Sequence, residues 1–192
     1  MPTPPTGTVT FLFTDIEGST RLLYALGKRY RAVQDRHGEI LQAAIDANDG
    51  HVVRTEGDSF FATFRTSIDA VRAAVNAQRN LSGNDWPEGI ELRVRMGLHT
   101  GQGVLGGHDY IGIDVNTAAR IAAAAHGGQV LLSDATRVLT QRDLPDGVAG
   151  RRQSDGSLAI WAGSIAVHAM EIAFLDRMAR AVARDRGTSD QL

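Results

Sequence analysis

The feature that most constrains this chain is the order in which two apolar periods follow one another. Val9, Phe11 and Phe13 alternate with Thr10 and Leu12, so residues 8–15 form a largely buried strand that ends at Asp15. Ser and Thr suit a helix N-cap, so Gly18-Ser19-Thr20 opens a helix. Leu22, Leu23, Leu26, Tyr30, Val33, Ile40, Leu41 and Ala44 recur at helical spacing and carry that helix to about Asn48, with a kink near Gly27 or Gly38. Asp49-Gly50 is a turn. Two short strands, His51–Thr55 and Ser59–Phe64, then flank Glu56-Gly57-Asp58, a three-residue hairpin loop centred on glycine. Ile68, Val71, Ala74, Val75 and Gln78 predict a second helix over about 66–81, and Glu91–Thr100 alternates as a strand after the Trp86-Pro87-Glu88-Gly89 loop.

Strand, helix, strand, strand, helix, strand is the plan of an α+β fold with a ferredoxin-like βαββαβ core, an antiparallel sheet and helices on one face. A doubly wound nucleotide fold needs strict strand–helix alternation, and Gly101-Gln102-Gly103 lacks the strand-to-helix context of its glycine fingerprint. Beyond the core, the four glycines of Gly101–Gly107 read as a turn or bulge with a short return strand. Val115–Ala125 is a third helix, Gln129–Ser133 a strand and 134–140 a short helix. The expected organisation is a flexible lead-in at 1–7, one domain at 8–140, and a divergent C-terminal extension at 141–192. That extension carries a weak strand at 157–162 and a helix over about 164–184.

Composition narrows the function. With 192 residues, 43% hydrophobic and 22% charged, the chain has the make-up of one folded domain. It contains no cysteine, which excludes a disulfide scaffold, a thiolate metal site and a cysteine nucleophile. A net charge of -2 provides no basic field for nucleic acid. No apolar run approaches the ~20 residues of a membrane span, and MPTPPTGTVT lacks the order of a signal peptide. A cytoplasmic chain with no nucleic-acid or membrane partner is therefore expected. Of 20 basic residues only Lys28 is a lysine, so any role that needs a lysine has one candidate.

Asp15 ends an apolar strand and Asp58 sits in the hairpin. In a βαββαβ sheet both carboxylates converge on one edge, and such oxygens suit Mg²⁺ or Mn²⁺. The free N–H groups of the helix start at Gly18, Ser19 and Thr20 face anionic oxygens. Taken singly, Asp15 reads as a helix cap, Asp58 as a turn residue and Glu17 as a charge at the helix start. Asn116 and Arg120 are four apart and share a helix face, where an Arg stabilises a phosphoryl transition state and an Asn holds a sugar oxygen. Each alone reads more readily as a solvated surface residue, and Asp109 as a turn residue.

Four stretches in order are more specific than any one of these. They are Phe11-Leu12-Phe13-Thr14-Asp15-Ile16-Glu17-Gly18-Ser19-Thr20, Glu56-Gly57-Asp58-Ser59-Phe60, Gly97-Leu98-His99-Thr100-Gly101 and Asp109 through Arg120. Over roughly residues 8–140 the chain resembles the catalytic domain of class III nucleotidyl cyclases, in their bacterial, actinobacterial branch. The resemblance implies that Asp15 and Asp58 bind metal, with the Ile16 carbonyl as a further contact and two Mg²⁺ or Mn²⁺ ions per active site. It implies that Gly18, Ser19 and Thr20 hold the triphosphate, that Asp109 reads the purine amino group in favour of ATP, that Asn116 orients the ribose and that Arg120 is the transition-state arginine. It further implies a head-to-tail homodimer with shared active sites, forming 3′,5′-cyclic AMP and pyrophosphate from ATP.

The sequence departs from that family in two places. Arg54 stands where adenylate cyclases have a purine-binding lysine, and arginine is longer, planar and not interchangeable with it. The C-terminal lysine that binds terminal phosphates has no counterpart, and from about Gly150 the tail departs from the family's usual ending, with Arg151 and Arg152 as weak substitutes. An adenylate cyclase of low activity is the expectation, and a catalytically degenerate cyclase-like module for dimerisation or nucleotide binding is the alternative. A diguanylate cyclase shares the βαββαβ plan, but its Gly-Gly-Asp/Glu-Glu-Phe signature is missing from the hairpin.

Overall fold

The computed structural model describes residues 4–87, 89–107, 109–142, 160–163 and 167–170. Strand β1 (Gly7–Ile16) is central and pairs antiparallel with β3 (Ser59–Phe64) on one side and β4 (Val94–Gly106) on the other. Strand β2 (His51–Glu56) pairs with β3 and closes that edge. The order β2-β3-β1-β4 is that of the βαββαβ plan. Helices α1 (Ser19–Leu26), α2 (Tyr30–Asp46) and α3 (Ser67–Ser82) complete the core.

Alternation decides which face each residue serves. Leu12 and Ile16 of β1, Ala62 and Phe64 of β3, and Met96 and Leu98 of β4 pack with Val33, Leu41, Val71 and Val75 in one cluster under α2 and α3. Val9 and Phe11, one residue out of phase, pack with Phe61, Tyr110, Val115 and Ala118 on the opposite face. That second face is covered by α4 (Ile113–Ala124), which follows the core after the short strand β5 (Asp109–Ile111). Strand β6 (Val130–Ser133) then pairs parallel to β4, and α5 (Asp134–Arg142) follows it. Strands β7 (Ile160–Gly163) and β8 (Val167–Met170) extend the sheet beyond β6.

Several sequence expectations change. The first helix does break at Gly27 (φ 54°), through a 3₁₀ turn at Gly27–Arg29, whereas Gly38 lies unbroken inside α2. The N-cap of α1 is Gly18 in a left-handed conformation (φ 70°), with no side-chain cap, so neither Ser19 nor Thr20 caps the helix. The hairpin pairs Glu56 with Ser59, which shortens the loop to Gly57-Asp58. The glycine run at 101–107 is not a turn at its start. Strand β4 continues to Gly106, and the return strand is β5. The glycines serve close approach: a Cβ at Gly97 would collide with the Ala122 backbone, and one at Gly101 with the Asp114 carboxylate. Residues Val167–Met170 are strand, paired with β6, where a helix over 164–184 was expected; the rest of that span lies outside the described residues. Among the described residues no helix is long and apolar enough to cross a membrane.

Candidate active site

Pairing β1 between β3 and β4 puts Asp15 next to the β2–β3 hairpin that carries Asp58. The two residues are cross-linked by neighbours. The Ile16 N–H donates to Asp58 Oδ2 at 3.1 Å, and the Ser59 hydroxyl donates to Asp15 Oδ1 at 2.9 Å. Each carboxylate is thus held by the residue beside the other, across 42 and 44 positions of sequence. Burial pushes the Asp58 carboxyl above its usual range, the Ile16 N–H opposes that rise, and the charge of Asp15 adds to it. Tyr30, placed by the Gly27 break at the first turn of α2, is buried against the same group. Its hydroxyl is shifted upward by burial, then by Asp58 and Asp15, with Ser19 opposing.

This donor set fits a small hard cation. Mg²⁺ is commonly held by one or two carboxylates, with substrate phosphates and water completing the shell. Two carboxylates locked at one spot, one with its proton affinity raised by burial and further by its neighbour's charge, are such a pair. Among the described residues no group of three or more His, Cys, Asp and Glu is placed to hold a metal ion by itself. Glu17 is not available to that site. Its Oε1 accepts from Gly127 N–H at 2.9 Å, and its own N–H donates to the Arg93 carbonyl at 2.9 Å.

Arg95 is a participant that sequence pattern does not disclose. It lies opposite Asp15 in the β1–β4 register and pairs with Asp15 Oδ2, through Nε at 2.8 Å and through Nη2. Beside the carboxylates, Gly18 holds the turn into α1 and accepts from the Arg21 and Leu22 N–H groups at 2.9 and 3.1 Å. Among the described residues the N–H groups of Ser19 and Thr20 have no protein acceptor, so they stay open to an anion.

The second predicted group lies elsewhere on the protomer. Arg54 follows a register shift in β2 between Val52 and Arg54. It pairs with Asp109 of β5, contacts Glu56 at 3.3 Å, and places its guanidinium carbon 5.2 Å from the centre of the Phe61 ring. The two expected purine readers, 55 positions apart, thus form one unit. Asn116 and Arg120 lie on α4 with both side chains exposed, and Arg120 has no partner among the described residues. Among the described residues neither makes a hydrogen bond or ion pair with Asp15 or Asp58. Within one protomer the structure therefore brings Asp15 to Asp58 and Arg54 to Asp109, but not Asn116 or Arg120 to the carboxylates. The Arg151 and Arg152 positions lie outside the described residues.

Two patches of exposed apolar side chains flank these half-sites. Leu23 and Tyr24, the latter 84% exposed, follow the Gly18 turn. Val104, Leu105, Ile111 and Ile113, the last 76% exposed, surround the start of α4.

Comparison with known proteins converges on one family. Residues 1–153 match the family described as the adenylate and guanylate cyclase catalytic domain. An uncharacterized protein of Mycobacterium tuberculosis is 39% identical over 144 residues, which are 74% of this chain and 48% of that protein. An adenylate cyclase of Lachancea kluyveri is 35% identical over 155 residues, 68% of this chain and 8% of that protein. The chain thus spans about half the length of the mycobacterial relative and a small part of the fungal one. Among solved structures, an adenylate cyclase from Trypanosoma brucei in its monomeric state superposes with a TM-score of 0.66 at 30% identity, covering 71% of this chain and 78% of that one.

Proposed function

The chain belongs to the adenylate and guanylate cyclase catalytic-domain family, and from that premise we propose that it is one half of a homodimeric adenylate cyclase of low activity. The observation that carries this reading is the cross-linked pair Asp15 and Asp58 beside the open N–H groups of α1.

In this reading Asp15, Asp58 and the Ile16 carbonyl hold two Mg²⁺ or Mn²⁺ ions per active site. When bound, those ions polarise phosphate oxygens and lower the pKa of the ribose hydroxyl. The Ser19 and Thr20 amides, reached through the Gly18 turn, receive the triphosphate, and Arg95 adds a cation beside it. Asp109 accepts from the exocyclic amino group of adenine, while Arg54 donates to the ring. The ribose 3′-oxygen bonds to the α-phosphorus as the bond to the bridging oxygen breaks. Pyrophosphate departs and the hydroxyl proton passes to water. Asn116 holds the ribose, and Arg120 meets the charge that develops on the phosphorus oxygens.

Among the described residues Arg120 has no partner and no hydrogen bond or ion pair joins it to Asp15, so in this reading the site is completed by a second copy. The Leu23–Tyr24 patch lies beside the carboxylates and the Val104–Ile113 patch beside Asn116. A two-fold, head-to-tail pair that joins the two patches creates two equal composite sites.

The test is product formation by the purified full chain from ATP and from GTP, each with Mn²⁺ and with Mg²⁺. Cyclic AMP from ATP with Mn²⁺ is expected. A second reading, a nucleotide-binding dimer without turnover, draws on the fact that Asp15 and Asp109 are each already neutralised by an arginine. Saturable binding of Mn²⁺–ATP with no cyclic product would select it, and absence of both binding and product would overturn both readings.

A further inference from the structure

His99 and Asp114 belong to none of the half-sites, yet they join the strand to the helix that carries one. His99 Nε2 and Asp114 Oδ1 are 3.2 Å apart, and Asp114 Oδ2 accepts from the Gln102 N–H at 2.7 Å. One carboxylate is therefore held by two donors on β4. The seat requires glycine at 101, because a side chain there would occupy the space of the Asp114 carboxylate. His99 Nδ1 is buried with no partner among the described residues, so the proton belongs on Nε2, where it is donated to Asp114.

Helix geometry turns this seat into an aim. Successive residues are separated by ~100° around an α-helix. Val115, Ala118, Ile121 and Ala122 lie within about 100° of Asp114, and all four are buried. Asn116 and Arg120 fall about 200° and 240° from Asp114, and both point outward. Fixing Asp114 on the sheet thus fixes the direction of both. A rotation of α4 by ~20° moves a side chain at its radius of ~5–6 Å by about 2 Å, and an error of ~1 Å can cost about 100-fold in rate. The cap of α4 does not supply this control, since Gly112 makes no side-chain cap bond.

We propose that His99 and Asp114 are positioning residues that set the rotation and axial seat of α4, and through it the reach of Asn116 and Arg120 into the site of a second copy. This rests on the composite-site reading above. Asp114→Ala should lower kcat by about 10–100-fold while KM for Mn²⁺–ATP moves less than about 3-fold, because the lost interaction counts mainly in the transition state. His99→Ala should act in the same way. His99→Asn, which keeps a donor for Asp114, should restore most of the loss.

Pairing variants separates positioning from general damage. A mixed dimer of Asp114→Ala with Asp15→Ala has one intact site and should recover activity. A mixture of Asp114→Ala with Asn116→Ala has both sites damaged and should not. Recovery in the second mixture but not the first, or a kcat for Asp114→Ala equal to that of the unaltered chain, overturns the proposal. The control mixture of Asp15→Ala with Asn116→Ala tests the composite reading by itself. Should that control fail, amide hydrogen exchange on the full chain still decides. Exchange at 113–124 faster in Asp114→Ala, with β1 and β3 unchanged, supports the anchor, and unchanged exchange in α4 overturns it.

Discussion

The carboxylate end of the sheet and the outer face of α4 are built on opposite terms. Asp15 and Asp58 are tied down from two strands, partly buried, and partnered by Arg95, Ser59 and the Ile16 N–H. Asn116 and Arg120 are exposed on a helix whose inner face alone is anchored. Like charges held together require a fixed scaffold, supplied here by the Ile16 N–H, the Ser59 hydroxyl and Arg95. An exposed Arg on an anchored helix is suited to meet something supplied from outside. The contrast is that of a socket and a probe, and it accounts for why one chain presents both without joining them.

The largest expected effect strikes the socket. Asp15→Ala should lower Mn²⁺-dependent cyclic AMP formation by more than about 1,000-fold and remove tight Mn²⁺ binding; turnover near that of the unaltered chain would detach Asp15 from the reaction. Arg120→Ala strikes the probe. It should lower kcat by about 100–1,000-fold yet leave Mn²⁺ affinity unchanged, as measured by titration calorimetry. A matching loss of Mn²⁺ binding would erase the contrast between the two regions.

Much of the scaffold for this contrast is legible in the sequence. The period-2 run ending at Asp15, the glycine-centred hairpin at Asp58 and the helical spacing of Asn116 and Arg120 are local signals, and each element forms where its period places it. What escapes is information carried across the chain. The register that sets Asp15 opposite Arg95 spans 80 positions, and no local pattern selects Arg95 over Arg93. The glycines of β4 look like turn residues because glycine signals both bends and close packing, and only the presence of α4 over Gly97 and Gly101 separates the two. Val167–Met170 has residues compatible with a helix, and pairing with β6 makes it a strand.

Smaller effects sharpen the account at its edges. Arg54→Lys should raise the preference for ATP over GTP by a few-fold, about 3–10, because a compact ammonium replaces a planar fork that Asp109, Glu56 and Phe61 all hold. An unchanged ratio of kcat/KM values for the two nucleotides would place Arg54 outside the base pocket.

His37, fully buried behind the socket with its ring 6.0 Å from Phe60, has no hydrogen-bond partner for either nitrogen among the described residues. Burial pushes it down from 6.5 to about 4, with Asp15 opposing. The unfolded chain then binds more protons than the native one between those values, so stability is lost as pH falls from 6.5 towards about 4. His37→Leu should flatten that acid limb by up to ~3 kcal/mol, read from denaturant titrations at several pH values; an unchanged slope would remove His37 from the acid response. Asp58 has the opposite sign. Its raised carboxyl binds more protons in the native state, so its contribution falls as pH rises through the window above the ordinary Asp value. Asp58→Asn should therefore stabilise the metal-free chain at neutral pH relative to acid, the smallest effect of the series. A midpoint unchanged at both pH values would show that neither burial nor the Asp15 charge weighs on the Asp58 carboxylate.

The measurement that bears most directly on the socket and the probe belonging to different copies is the activity of an equal mixture of Asp15→Ala and Asn116→Ala chains, refolded or co-expressed so that mixed dimers form. With random pairing, half the dimers are mixed and each carries one intact site, so activity should return to about one quarter of that of the unaltered protein. Activity no greater than that of the two separate variants, with mixed dimers shown to be present, would mean that each site is complete within a single chain or does not exist.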